Sequence, residues 1–199
     1  MLETNNGFKP AENEFNSLPW MWPIAYRGQV FSGADHRVYL LGNPVIWWGI
    51  LVVYGIYVLY YFATEVRKKR QFAIDPEMAK KSEQVVKTCG WFLTGWCLHY
   101  LPFFIMGRVL YYHHYFPSFM ISSMLSGILL EHLLSLGTSM IADAESGKRA
   151  YYAGVGVLLA ASVGSFFAFR ALTYGAAGPH ADQPDATAAL YKWLDTWEI

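Results

Sequence analysis

The chain has 199 residues, of which 54% are hydrophobic, 18% are aromatic and only 15% are charged. A soluble domain carries more charge and fewer aromatic residues, so this composition favours a membrane protein. Fifteen basic and fifteen acidic side chains cancel, and the absence of a basic stripe argues against binding to nucleic acid. Cys89 and Cys97 alone supply neither a disulfide framework nor a zinc site, so no metal or cofactor is predicted.

The first hydrophobic stretch is PVIWWGILVVYGIYVLYYFAT, residues 44–64, which contains no charged residue. About 20 apolar residues are needed to cross the hydrocarbon core of a bilayer as a helix. Trp47 and Trp48 lie at one end of the stretch and Tyr60 and Tyr61 at the other, where aromatic rings are expected to meet lipid headgroups. The stretch is predicted to be the first membrane span.

Three further spans are predicted at residues 85–106, 118–141 and 151–173. The third of the four spans contains Glu131 and His132. Ionisable groups inside a membrane are costly and are usually paired within a helix bundle. We therefore expect these two side chains to form a structural pair, or a polar contact with a part of the bundle outside this chain, rather than a proton relay. The fold class is an all-α membrane protein with a four-span domain at residues 44–173.

The connection between the first two spans is strongly basic. It holds Arg67, Lys68, Lys69, Arg70, Lys80 and Lys81. Because basic residues concentrate on the cytoplasmic side, this connection is predicted to be cytoplasmic. Alternation of the spans then places the amino-terminal segment 1–43, the turn at 108–117 and the carboxy-terminal tail 174–199 on the luminal side.

The turn RVLYYHHYFP, residues 108–117, combines a cation, phenols and imidazoles between two hydrophobic spans. A helix through it would present Arg108 and three tyrosines on one face. A guanidinium beside phenol hydroxyls suits a phosphate oxygen, and two imidazoles would add donors. An alternative is that these side chains only anchor the protein in the headgroup layer. The residues concerned are Arg108, Tyr111, Tyr112, His113, His114 and Tyr115.

Four stretches together resemble the carboxy-terminal four-span region of the protein O-mannosyltransferases, with the best match to the second of the two animal paralogues. They are LPWMWPI at 18–24, VYLLGNPVIWW at 38–48, LHYLPFFIMGRVLYYHHYFPSFM at 98–120 and YKWLDTWEI at 191–199. One departure is Leu18, where the family pattern leads us to expect a histidine.

The resemblance implies an endoplasmic reticulum membrane enzyme, a larger polytopic glycosyltransferase that transfers mannose from dolichyl phosphate mannose to Ser or Thr hydroxyls of luminal proteins. It also implies a paralogous mannosyltransferase subunit as partner. On this interpretation the luminal turn lies where the donor's phosphate sits. Arg108, with Tyr112, His113 and His114 as weaker neighbours, is our hypothesis for that contact.

The transfer also needs a base to take the acceptor's proton. The carboxylates predicted to be luminal lie in polar or turn-rich stretches, and none is assigned as catalytic. They are Glu3, Glu12, Glu14, Asp35, Asp182, Asp185, Asp195 and Glu198. The family carries an acidic pair and a luminal β-trefoil module ahead of the matching region. We therefore expect this chain to be the carboxy-terminal part of an enzyme and to be inactive alone.

Two other functions remain open at this stage. One is a non-catalytic four-helix membrane scaffold. The other is a haem-binding bundle that uses His99 and His132. With the second and third spans centred near Trp96 and Leu129, these two histidines are offset in depth by about 9 Å at the rise of an α-helix, which argues against a shared haem.

Overall fold

The computed structural model describes residues 16–32, 37–73, 75–176 and 187–199. Four long helices occur within these residues: α1 (Pro44–Lys69), α2 (Pro76–Tyr100), α3 (Phe116–Ser139) and α4 (Ala144–Tyr174). Short 3-10 turns occur at Pro19–Met21, Leu101–Ile105, Tyr112–Tyr115 and Thr187–Tyr191. Two strands, β1 (Gln29–Ser32) and β2 (Val38–Leu40), pair antiparallel.

Three of the helices start beside a capping side chain. The Asn43 Oδ1 accepts the Val45 N–H at 3.1 Å before α1, and the Asp75 carboxylate accepts the Met78 N–H at 3.0 Å before α2. Asp143 accepts the Ser146 N–H at 2.8 Å before α4. Hydrogen bonds from Ser146 lower the pKa of Asp143. These caps satisfy backbone donors that have no partner inside the helix.

The second helix differs from the predicted span at both ends. It begins at Pro76 rather than at residue 85, because the polar first turns are helical as well. It ends at Tyr100, since the proline ring of Pro102 is incompatible with the interior of an α-helix and the chain continues as a 3-10 turn. The α-helix therefore ends before residue 106, the predicted end of the second span.

Three helices are long and apolar enough to cross a membrane: Pro44–Lys69, Tyr112–Ser139 and Ala144–Tyr174. They contain most of the first, third and fourth predicted spans. The more polar helix α2 does not meet the same length and composition criteria in the described residues. Its crossing of the membrane, and with it the count of four spans, stays a prediction at this point.

The chain divides into two compact units. We call Met1–Trp48, Tyr100–Phe116 and Ala161–Ile199 the terminal unit, because it gathers residues from both termini. We call Gly49–His99 and Pro117–Ala160 the helical unit.

In the terminal unit, the hairpin of β1 and β2 and the end of the chain share a core. Its buried members are Tyr39, Phe169, Leu172, Trp197 and Ile199. The Gly28 N–H donates to the Tyr39 hydroxyl at 2.8 Å, and burial raises the pKa of Tyr39. Arg37 and Ala176 form an isolated antiparallel bridge. The hairpin is the one regular element of the described residues that the sequence-based prediction of an all-helical fold did not contain.

The core of the helical unit joins side chains from α1, α2 and α3. Its buried residues are Val53, Tyr57, Cys89, Leu125 and Leu129. Tyrosines of α1 add polar contacts to this apolar core. The Tyr54 hydroxyl lies 2.8 Å from the Ser122 hydroxyl, and the Tyr57 hydroxyl donates to the Val86 carbonyl at 3.2 Å.

Candidate functional site

The predicted helical face from Arg108 to Tyr115 does not form. Arg108 lies in a bend, the following residues are irregular, and only Tyr112–Tyr115 adopts a 3-10 turn directly before α3. The i, i+3, i+4, i+7 spacing brings side chains together only in a continuous α-helix, so Arg108 and the three tyrosines do not share one face. The helix α3 begins at Phe116, two residues before residue 118, where the third span was predicted to begin.

Tyr112 and Tyr115 are core residues of the terminal unit. Tyr112 is 0% exposed, its ring stacks on Trp47 at 5.6 Å, and its hydroxyl accepts the Gly42 N–H at 3.4 Å. Tyr115 is 2% exposed and packs against Tyr100 at 5.4 Å. Neither phenol faces outward, and Trp47, 4% exposed, is a packing residue rather than the headgroup anchor that we predicted.

The fit of Trp47 against Gly42 gives a stability prediction. A Cβ at residue 42 would overlap the Trp47 indole, whereas a Cβ at Gly49, farther along α1, would meet no atom within 4 Å. We expect Gly42→Ala to lower the free energy of unfolding by about 1 to 3 kcal/mol through overpacking. Gly49→Ala should be neutral or stabilising by up to about 1 kcal/mol, because alanine favours a helix. Denaturation of both variants in mild detergent is the measurement; equal stabilities would contradict the packing argument.

The segment Asn16–Trp22 holds the turn from the amino-terminal side. The Leu110 N–H donates to Asn16 Oδ1 at 2.9 Å, and the Leu110 carbonyl accepts the Ser17 N–H at 2.9 Å. The Trp22 indole donates to the Ser17 hydroxyl at 2.9 Å, and the Tyr100 hydroxyl donates to the Pro19 carbonyl at 2.8 Å. Both the N–H and the carbonyl of Leu110, two residues after Arg108, are therefore held by hydrogen bonds.

Sequence reasoning missed this bracing role. The motif LPWMWPI contributed to the resemblance, and Leu18 was noted only as a departure from the family pattern. The available signal was the density of tryptophan and proline in an apolar segment too short to span a membrane. The partners of the segment Asn16–Trp22 lie about 80 to 95 residues away in the chain. Their identity therefore cannot be predicted from the local sequence pattern.

Two imidazoles and one phenol stack in the turn. The rings of His113 and His114 lie 4.6 Å apart, and Tyr111 stacks on His113 at 5.6 Å. His113 is exposed and His114 is partly exposed. The Nδ1 atom of His114 faces the Tyr111 backbone, 3.1 Å from its N–H nitrogen and 2.9 Å from its carbonyl oxygen. The backbone of Tyr111 therefore fixes the Nδ1 edge of this ring.

Arg108 is half-buried in the bend ahead of this stack. Within the described part of the chain, its guanidinium makes no hydrogen bond or ion pair. Arg27, in the same unit, is different, because its guanidinium pairs with both carboxylate oxygens of Glu198 at 2.6 and 2.7 Å. A partly desolvated guanidinium without a partner among the described residues can donate two parallel hydrogen bonds to a phosphate. The two imidazoles follow it five and six residues later in the chain.

Two of the candidate carboxylates lie within the described residues. Glu198 is held by Arg27, and Asp195 is exposed. The remaining ones, Glu3, Glu12, Glu14, Asp35, Asp182 and Asp185, lie outside the described residues. Among the described residues, no group of three or more His, Cys, Asp or Glu side chains is placed to hold a metal ion.

The other two singled-out histidines are bound to different neighbours. His99 Nδ1 lies 2.9 Å from the Ser118 hydroxyl, and His132 Nε2 lies 2.7 Å from the Tyr60 hydroxyl. His132 is 2% exposed, while Glu131 beside it is exposed. His132 thus makes a structural contact, but with α1 rather than with Glu131. Tyr60 is a partner inside the helical unit and not only the headgroup anchor predicted for it.

Comparison with known proteins decides the family. The sequence profile described as the C-terminal four TMM region of protein-O-mannosyltransferase matches residues 1–197. The chain belongs to the protein O-mannosyltransferase family. The resemblance seen in the sequence is thereby confirmed, as is the fold class of a helical, polytopic membrane protein.

Two animal relatives in the O-mannosyltransferase family match the whole chain. Protein O-mannosyl-transferase 2 of Danio rerio is 41% identical and that of Drosophila pseudoobscura pseudoobscura is 38% identical. The chain spans 27% and 30% of the lengths of these relatives.

One solved O-mannosyltransferase structure also matches. It is the S. cerevisiae Pmt1-Pmt2 complex bound to the sugar donor, with a TM-score of 0.70 and 26% sequence identity. The match covers 98% of this chain and 25% of the yeast chain. The fold described above is therefore that of the matching quarter of a protein O-mannosyltransferase.

Proposed function

We propose that the chain forms the carboxy-terminal membrane region of an endoplasmic reticulum enzyme that transfers mannose from dolichyl phosphate mannose to Ser or Thr of luminal proteins. Family membership and the likeness to a complex bound to its sugar donor support this function. The matching yeast structure is a Pmt1-Pmt2 complex, which supports a paralogous mannosyltransferase as the partner subunit. A free scaffold and a haem bundle have no comparable support.

Within this function, we assign the donor's phosphate to the turn that begins at Arg108. The observation that carries the assignment is the half-buried Arg108 guanidinium without a partner among the described residues, in a backbone braced by Asn16 and Ser17. His113 and His114 are accessible and add imidazole donors on the same turn. Tyr112 is buried against Trp47, so we assign it a role in packing the turn rather than in contacting the donor.

The function is tested with a chimera. This chain replaces the matching carboxy-terminal region of Protein O-mannosyl-transferase 2 from Danio rerio, and the chimera is expressed with a paralogous subunit. We expect mannose transfer from dolichyl phosphate mannose to an acceptor peptide, well above that of the same protein without the region. A chimera that is membrane-inserted and stable but transfers no mannose would contradict the proposal.

Membrane orientation gives a second prediction. The basic connection that contains Lys80 and Lys81 should be cytoplasmic, and both termini of the chain should be luminal. An N-glycosylation acceptor introduced near Gly178, outside the described residues, should be modified in microsomes. An acceptor introduced between Gln71 and Lys80 should remain unmodified. The reverse pattern would overturn the orientation and remove the turn from the lumen.

A further inference from the structure

The helical unit contains a cavity lined by residues 77–84 and 132–139, none of which belongs to the donor turn. It has a volume of about 550 Å³ and lies between the first turns of α2 and the last turns of α3. Seven of its nine lining residues carry a polar or charged group: Glu77, Lys80, Lys81, Gln84, His132, Ser135 and Ser139, with Met78 and Leu136 as the apolar members. A polar cavity at the basic end of membrane helices differs from the apolar surface that the hydrocarbon of lipid tails would fill.

The cationic side chains of this cavity, Lys80 and Lys81, are exposed, like Lys69 and Arg70 outside it. Within the described residues, neither Lys80 nor Lys81 takes part in an ion pair or a hydrogen bond. A neighbouring lysine at the same end of the helices shows the usual alternative, since the Lys68 ammonium lies 3.3 Å from carboxylate oxygens of both Glu65 and Glu83. The two cavity lysines outnumber the single lining carboxylate, Glu77, so the cavity has a net positive lining.

Uncharged donors of the same cavity are also left over. The Gln84 amide and the Ser135 hydroxyl make no hydrogen bond within the described residues. His132 is 2% exposed, its Nε2 is occupied by Tyr60, and its buried Nδ1 has no partner among the described residues. The His132 ring lines the cavity, but its Nδ1 atom is buried, so the donors offered to a ligand are those of the lysines, Gln84 and Ser135.

We propose that this cavity is a binding site for a phosphate group. A phosphate has only acceptor oxygens, and it satisfies several donors at once while compensating lysine charge. The group is carried either by the headgroup of an anionic phospholipid or by a free phosphate. In the predicted orientation, this basic end of α2 and α3 lies on the cytoplasmic side of the membrane, where anionic lipids collect, which suits a headgroup. The site does not depend on the donor turn or on mannose transfer.

The test compares two double variants of the full 199-residue chain in phosphatidylcholine nanodiscs. Lys80→Gln/Lys81→Gln removes the cavity charges. Lys69→Gln/Arg70→Gln removes two exposed charges that lie outside the cavity lining but at the same basic end. Short-chain phosphatidic acid and inorganic phosphate are titrated separately, and binding is followed by calorimetry. Both variants are first checked for unchanged helix content.

We expect the parent chain to bind at least one of the two probes, and Lys80→Gln/Lys81→Gln to bind it about ten- to a hundredfold more weakly, the range for losing charge-assisted hydrogen bonds. The Lys69→Gln/Arg70→Gln control should lose less than about threefold, through screening alone. Binding of phosphatidic acid but not phosphate identifies a lipid headgroup; binding of both identifies the phosphate itself. No binding of either probe, or equal losses in the two double variants, overturns the site.

Discussion

Replacing Arg108 with alanine is expected to remove most of the mannosyltransferase activity of an enzyme that contains this region. The guanidinium is half-buried and unpaired within the described residues, so it is available to a donor phosphate. Removing one electrostatic donor from an active site costs about 2 to 4 kcal/mol in kcat/KM. Lysine keeps the charge but loses the planar fork, so Arg108→Lys should retain part of the activity.

The kinetic constants then separate two roles of Arg108. A contact that is equal in the bound donor and the transition state raises the donor KM with little change in kcat. A contact that strengthens as the phosphate leaves lowers kcat. Arg170→Ala is the matched control, because Arg170 is exposed and lies over the Phe167 ring at 5.5 Å. Unchanged donor kinetics in a normally inserted Arg108→Ala enzyme would contradict the phosphate contact. It would favour the alternative that the turn only anchors the protein in the headgroup layer.

Replacing Trp197 with alanine is expected to have the largest effect on stability. Trp197 is 0% exposed, stacks against Trp48 at 6.2 Å, and donates its indole N–H to the Ala25 carbonyl at 2.8 Å. Truncating a buried tryptophan costs about 3 to 5 kcal/mol. That is a large share of the stability of a domain, which is typically about 5 to 15 kcal/mol.

The control for this prediction is Trp91→Ala, which makes the same chemical change at a side chain that is 78% exposed. Trp197→Phe should fall between the two, because it keeps an aromatic ring but loses the hydrogen bond. Denaturation in mild detergent gives the free energies, and hydrogen exchange in residues 16–28 gives the local effect. If Trp91→Ala and Trp197→Ala destabilised equally, the contact of Trp197 with residue 25 would not be the cause.

The hydrophobic stretches were readable from sequence because their signal is local. The uninterrupted apolar run from Pro44 predicted α1, and the apolar run from residue 118 predicted most of α3. The predicted boundaries were less accurate where a polar stretch of the chain is helical. The helix α2 starts at Pro76, in a polar stretch that a hydrophobicity criterion cannot include.

The candidate site was only partly readable for a related reason. Arg108, His113 and His114 were predicted because a cationic side chain and adjacent imidazoles are unusual between two apolar runs. The pattern could not show that Tyr112 turns inward, because the burial of Tyr112 depends on Trp47 and Gly42, about 65 to 70 residues earlier in the chain. A continuous helix from Arg108 would place all three tyrosines on one face. The backbone after Arg108 is irregular instead, so the tyrosines do not share a face.

The long reach of the contacts in the terminal unit has a consequence for biosynthesis. The Trp197 indole meets the carbonyl of Ala25, a residue made 172 positions earlier, whereas the Tyr57 hydroxyl meets the Val86 carbonyl after 29 positions. At ordinary ribosome speeds, 172 residues take on the order of ten to thirty seconds to add. Throughout that interval the tryptophan-rich segment around Trp22 lacks its last partner. We therefore expect substitutions near Trp197 to act first on the nascent protein, by prolonging its exposure to chaperones and degradation factors, and to lower abundance before they alter catalysis.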